Sequence, residues 1–156
     1  YAARVGEKLR RLGQCAGELQ VFLRTNPFRA NEPQYNAGTC RQLPVPTALT
    51  PELVRQALGL LREIYRPGHR YKKAGVQATA RVRAGDVPQT LFDNNDRAGE
   101  QRLAAAVDAL NRRHGRETLV YARQRQRSNW HMRQERLSAR ATTRLADLPR
   151  VRIEDG

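Results

Sequence analysis

Hydrophobic positions change period several times along the chain, and each change marks an element. Over residues 1–12, Ala2, Val5, Leu9 and Leu12 recur at helical spacing while Arg4, Lys8 and Arg11 alternate with them. That pattern predicts an amphipathic helix, ended by Gly13 with basic residues in its last turn. No capping residue precedes it, which suggests that the chain enters in mid-helix and is a fragment. Over residues 18–24 the period drops to two: Leu19, Val21 and Leu23 alternate with Gln20, Phe22 and Arg24, predicting a strand. A turn-rich stretch with Asn26, Pro27, Asn31, Pro33 and Asn36 follows. A second strand is expected over residues 38–43, ending at Pro44-Val45-Pro46.

Thr50-Pro51 reads as a helix start, a hydroxyl cap followed by proline at the first helical position. Leu53, Ala57, Leu58, Leu61, Ile64 and Tyr65 are assigned to its apolar face, and Pro67-Gly68 stops it. Residues 71–82 read as a third strand carrying Lys72, Lys73 and Arg81, with Arg83 just beyond. Residues 84–95 form a polar linker interrupted by Leu91-Phe92, either a peptide that docks elsewhere or an anchor onto a neighbouring domain. Asp96 is placed to cap a helix with the stripe Leu103, Val107 and Leu110, ending at Gly115. Residues 118–122 form a short strand candidate. Around Trp130, Met132, Leu137, Leu145 and Leu148 the periodicity is weak, so short strands or turns are expected there.

The order helix–strand–strand–helix–strand is an α+β arrangement. One strand in front would complete a ferredoxin-like βαββαβ unit. Lacking that strand, which lies centrally in a ferredoxin-like sheet, the chain would expose an apolar strip and be marginally stable or self-associating. The expected division is 1–83, an N-terminally truncated α+β domain; 84–95, a linker; and 96–156, a small α+β C-terminal domain.

Charge then narrows the function. Lys and Arg total 29 against 15 acidic residues, a formal net charge of +14, which calls for a polyanionic partner. A membrane is the rival, but no apolar stretch approaches the roughly 20 residues needed to span a bilayer. Arg24, Arg29, Lys72, Lys73, Arg81 and Arg83 lie on or beside predicted strands, where cationic side chains suit phosphate contact without base reading. Arg123, Arg125 and Arg127 are either a second such stripe or the solvent face of a strand.

Catalytic patterns are missing. No paired carboxylates sit beside an apolar strand as two-metal phosphoryl transfer requires. Asp93 and Asp96 are explained by turns and capping. Cys15 and Cys40 belong to no CxxC pair, and His69, His114 and His131 have no ligand spacing, so free thiols are expected and no metal.

Several strings together resemble the C-terminal part of UmuC-type Y-family DNA polymerases. They are Arg24-Thr25-Asn26-Pro27-Phe28, Arg41-Gln42-Leu43-Pro44-Val45-Pro46-Thr47 and, most specific, Ile64-Tyr65-Arg66-Pro67-Gly68-His69-Arg70-Tyr71-Lys72-Lys73-Ala74-Gly75-Val76. In the tail, Trp130-His131-Met132-Arg133 and residues 137–144 are similar to the region that follows the little finger in that family. Ala139, Ala141 and Leu145 depart from it, standing where proline, an aromatic and tryptophan are expected.

The resemblance implies a little-finger domain that grips primer–template duplex by its phosphates in an error-prone, SOS-type translesion polymerase. It implies DNA contacts by Arg24, Thr25, Lys72 and Lys73, to which the charge pattern adds Arg29 and Arg81. It also implies a sliding-clamp peptide at Gln89, Leu91 and Phe92, one residue short between its glutamine and its Leu-Phe pair. A UmuD′-like accessory subunit and RecA are further implied partners, in a bacterial cytoplasm at the nucleoid. The Mg-using palm of such enzymes is not among these residues, so no enzymatic activity and no cofactor are expected of this chain. Two other readings stand beside this one: a protein-interaction module that binds a clamp or accessory subunit without touching DNA, and an unrelated basic nucleic-acid-binding domain.

Overall fold

A computed structural model describes residues 1–29, 31–88, 96–115 and 117–124. Residues 1–125 form one compact unit and residues 126–156 a second, which lies outside the described residues together with the expectations around Trp130 to Leu148. The described elements are α1 (Ala2–Arg11), β1 (Gln14–Thr25), β2 (Asn36–Thr47), α2 (Thr50–Ile64), β3 (Tyr71–Arg83) and α3 (Arg97–His114). Single 3-10 turns follow at Ala84–Asp86 and Ala122–Gln124. Among the described residues the class is α+β, with one three-stranded antiparallel sheet and three helices.

Strand order is β2-β1-β3, so β1 lies in the centre. This corrects the ferredoxin-like expectation. Taking a central strand out of such a sheet would leave a gap, yet β3 pairs directly along β1, from Gln14↔Arg83 to Arg24↔Lys73. The ladder is interrupted where Gly17 meets β3. A Cβ on Gly17 would stand 2.5 Å from the Ala80 carbonyl oxygen, and Ala80 itself has φ 46°, so only glycine permits this approach.

Alternation along β1 places Leu19, Val21 and Leu23 on one face, where α1 and α2 cover them. Leu19, Leu53 and Leu60 are fully buried, and Leu9, Leu43, Ala57 and Ile64 pack around them. Each such leucine contributes about 1.5–3 kcal/mol by leaving water. The buried row of α2 is thus Leu53, Ala57, Leu60 and Ile64. Leu58 and Tyr65, expected on that face, are exposed and Leu61 is half-buried, because Leu58-Gly59-Leu60-Leu61 is apolar on several sides and only packing selects its register.

Other boundaries moved for identifiable reasons. Strand β2 continues through Pro44 and Pro46. Its pairing slips from Glu18↔Gln42 to Ala16↔Thr47, so residues 43–46 bulge out opposite Gly17, and an edge strand tolerates proline in a bulge. Thr50 is not the α2 cap: Leu49 holds that place, Thr47 Oγ1 accepts the Leu49 amide at 3.1 Å, and Thr50 is buried. Asp96 does cap α3, its carboxylate accepting the Gly99 amide at 2.9 Å, and Gly115 follows the helix with φ 104°.

In α3 the buried residues are Ala104 and Val107, while Leu103 and Leu110 are exposed. Residues 118–122 are not a strand. Asn111 clamps Leu119 through both its amide and its carbonyl, each at 2.9 Å, and Thr118 Oγ1 donates to the Gly115 carbonyl at 2.8 Å. Backbone groups tied to a helix end in this way are not available for a ladder. No described helix is long and apolar enough to cross a membrane.

Candidate nucleic-acid interface

Because α1 and α2 cover one face of the sheet, the even-numbered residues of β1 past Gly17 are left on the other. Its rows follow from the two registers: Asn36–Arg24–Lys73, then Gly38–Phe22–Gly75, Cys40–Gln20–Gln77, and Gln42–Glu18–Thr79. Beyond the Gly17 bulge, Arg81 pairs with Ala16 and Arg83 with Gln14. Basic residues therefore stand at both ends of this face and polar, mostly uncharged ones between them. Arg81 lies eight positions beyond Lys73, about 26 Å along an extended strand.

Arg24 and Lys73 are directly opposed and both exposed. None of the ion pairs among the described residues involves Arg24, Lys73, Arg81 or Arg83. Like charges facing each other across a strand pair are unfavourable in isolation and become favourable when an anion sits over them. Arg81 makes one long contact, its guanidinium donating to Gln14 Oε1 at 3.4 Å.

Phe22 is the one large apolar side chain in these rows, and its ring lies over Gly75, where an added Cβ would come within 2.2 Å of it. Glu18 is the face's acid. It accepts a hydrogen bond from Thr79 Oγ1 at 2.6 Å, and that bond, with a second from Cys40, holds its carboxyl below the ordinary value. The same contact pushes the Cys40 thiol up. Both cysteines are free, Cys15 buried and Cys40 exposed on this edge strand.

The remaining predicted contacts are distributed differently. Lys72 falls at the register shift between Arg24↔Lys73 and Thr25↔Tyr71, so it is the extra, bulged residue and does not share a row with Lys73. Thr25 is buried. Its hydroxyl donates to Gln34 Oε1 at 2.7 Å and accepts the Tyr35 amide at 3.0 Å, so it latches the β1–β2 loop and is already in use. Arg29 lies in that loop, paired with Glu32 at 2.8 Å. Gln89, Leu91 and Phe92 lie outside the described residues, as do Asp93, Arg125 and Arg127.

Two structural arginine roles were not anticipated. Arg10 on α1 makes a bidentate pair with Asp108 on α3, at 2.7 and 2.8 Å, and also donates to the Ala48 carbonyl and Thr50 Oγ1. Arg70 shares Glu32 with Arg29. Neither signal is local: Arg10 and Asp108 are 98 positions apart. A further cluster joins Tyr35, Tyr65, His69 and Tyr71 at the hairpin end, with the Arg66 guanidinium 4.9 Å from the centre of the Tyr35 ring.

This α+β unit, with helices on one sheet face and a cation-flanked open face, also has recognisable relatives. Residues 1–91 match the impB/mucB/samB family C-terminal domain, more than half of the chain, and the chain belongs to that family. Residues 101–151 match a domain of unknown function, DUF4113. Protein UmuC of Salmonella typhimurium is 40% identical over 153 residues, covering 97% of this chain and 36% of that protein. Protein ImpB of Salmonella typhimurium is 33% identical over 98% of this chain, and protein MucB of Escherichia coli 34% identical over 99%. The chain spans 36% of the length of each of these relatives.

Proposed function

We propose that the chain is the DNA-gripping, non-catalytic part of a UmuC-type Y-family translesion polymerase. In this reading residues 1–83 are a little finger, and their open sheet face lies against primer–template duplex. The observation that carries it is the registered, acid-free pair Arg24–Lys73 at one end of that face, matched by Arg81 and Arg83 at the other. Two cationic groups separated by a stretch whose one acid, Glu18, is tied to Thr79 suit two runs of phosphates with a groove between them. Contacts of this kind position a protein on DNA without reading sequence. Nucleotidyl transfer is assigned to the part of the relatives that this chain does not span.

Phosphate contact is tested by fluorescence anisotropy on a primer–template duplex with the Arg24→Gln, Lys73→Gln and Arg81→Gln variants. Each is expected to weaken binding of several unrelated sequences by the same factor. Variants that bind as wild type, or that lose only one sequence, refute it. The sliding clamp and a UmuD′-like subunit are proposed partners of the same protein, the former through Gln89, Leu91 and Phe92. Clamp pull-down with Leu91→Ala/Phe92→Ala should collapse while duplex binding persists.

A further inference from the structure

At the hairpin end of the sheet, beside the Arg24–Lys73 pair, the β1–β2 loop and the loop before β3 enclose a small cleft. Its volume is about 180 Å³ and its lining is Asn26, Arg29, Glu32, Arg70, Tyr71 and Lys72. Three cations and one carboxylate therefore line the same cleft. Arg29 and Arg70 reach the same oxygen, Glu32 Oε1, at 2.8 and 3.2 Å, from positions 41 residues apart in the chain.

The walls are held independently of that ion pair. Gln34 Nε2 donates to the carbonyls of Arg29 and Glu32, at 2.9 and 3.1 Å, which fixes the loop from within. Tyr71 donates its hydroxyl to the Arg66 carbonyl at 2.8 Å and accepts the Arg66 amide at 3.0 Å, fixing the opposite loop. The loops that carry the cations would thus keep their places if the carboxylate moved away. Glu32 is a single oxyanion held between two guanidiniums, which is the arrangement a phosphodiester makes with arginine forks.

We propose that Glu32 stands in for a DNA backbone phosphate: Arg29, Arg70 and Lys72 form a phosphate seat that Glu32 fills in the free protein and yields when duplex binds. This inference rests on the DNA-gripping reading and adds to it a self-competing contact. Arg29 and Arg70 are well exposed, so their bonds to Glu32 are weak and exchange readily. A phosphate offers more acceptor oxygens in the same space and brings counterion release with it. Glu32 therefore costs the complex affinity, and removing its charge should strengthen binding.

The test measures duplex affinity by anisotropy at several salt concentrations for wild type, Glu32→Gln, Arg70→Gln and the double variant. Glu63→Gln controls for net charge, because Glu63 pairs with Arg41 and is not among the residues that line the cleft. Glu32→Gln is expected to tighten binding about three- to tenfold, against less than twofold for Glu63→Gln, and to steepen the salt slope by about one phosphate equivalent. Arg70→Gln should weaken binding and abolish most of the gain from Glu32→Gln. Equal effects of Glu32→Gln and Glu63→Gln, with wild type binding normally, overturn the seat alone. Absence of duplex binding by wild type overturns the seat and the DNA-gripping reading together. Titration with inorganic phosphate gives a second readout, since the Arg29 and Arg70 Nε–H resonances should shift more in Glu32→Gln than in wild type, and identical shifts count against the seat.

Discussion

Replacing Arg10 by alanine should loosen α3 from the rest of the unit, and its cost can be built from the contacts. The substitution removes four hydrogen bonds: two charge-assisted ones to Asp108 at 2.7 and 2.8 Å, one to the Ala48 carbonyl at 2.6 Å and one to Thr50 Oγ1 at 3.0 Å. It also leaves Asp108 unpaired. Breaking a fully buried pair costs about 3–5 kcal/mol and an exposed one about 0.2–1 kcal/mol. Here the side chains are 16% and 14% exposed, near the buried end but within reach of water. We therefore expect about 2–3 kcal/mol for Arg10→Ala.

Asp108→Asn keeps one acceptor and leaves the bonds from Arg10 to Ala48 and Thr50 intact, so about 1 kcal/mol is expected for it. Urea unfolding followed by circular dichroism gives both values. Native-state hydrogen exchange shows where the loss falls: amides of α3 should exchange faster in both variants while those of β1 keep their protection. A cost below about 0.5 kcal/mol for Arg10→Ala would refute this reasoning. So would an Asp108→Asn cost larger than that of Arg10→Ala.

Two further outcomes follow from burial and from the open face. Leu60→Ala should cost about 2–5 kcal/mol in urea unfolding and Leu58→Ala less than about 1 kcal/mol, and similar costs would contradict the register of α2. Glu18 has its carboxyl held low by Thr79, so its contribution to stability is complete above the ordinary carboxylate value and is lost as pH falls through the lowered one. In Thr79→Val the Glu18 carboxyl should titrate at higher pH when followed by NMR, and an unchanged titration would remove the hydrogen bond as the cause.

Much of the fold was legible in the chain because its signals are local. The alternation of Leu19, Val21 and Leu23 set β1, Asp96 and Gly115 bracketed α3, and Pro67-Gly68 closed α2. Features that depend on tertiary packing were not legible. Among Leu58, Leu60 and Leu61, only the helix's seat on the sheet decides which is buried. Pro44 and Pro46 ended a predicted strand because a bulge opposite Gly17 is set by pairing rather than by composition. Sheet order escaped for the same reason, since β3 finds β1 across an intervening hairpin and helix.

The candidate site divides along the same line. That Arg24, Lys73 and Arg81 lie on strands was readable from period and charge. That Arg24 faces Lys73, while Lys72 bulges out of that row to line the neighbouring cleft, required the register. Thr25 carries no outward signal of burial; its hydroxyl is consumed by partners nine and ten residues further on.

If the open face holds DNA through phosphates, duplex binding must weaken steeply as salt rises. A linear fall of log K with log salt is expected for the 156-residue chain, with a slope of about −3.5 to −5.5 for roughly four to six phosphate contacts. That slope should be nearly equal for unrelated sequences and shallower by about one for each of Arg24→Gln, Lys73→Gln and Arg81→Gln. A flat salt response, or a slope that these three substitutions leave unchanged, would contradict it.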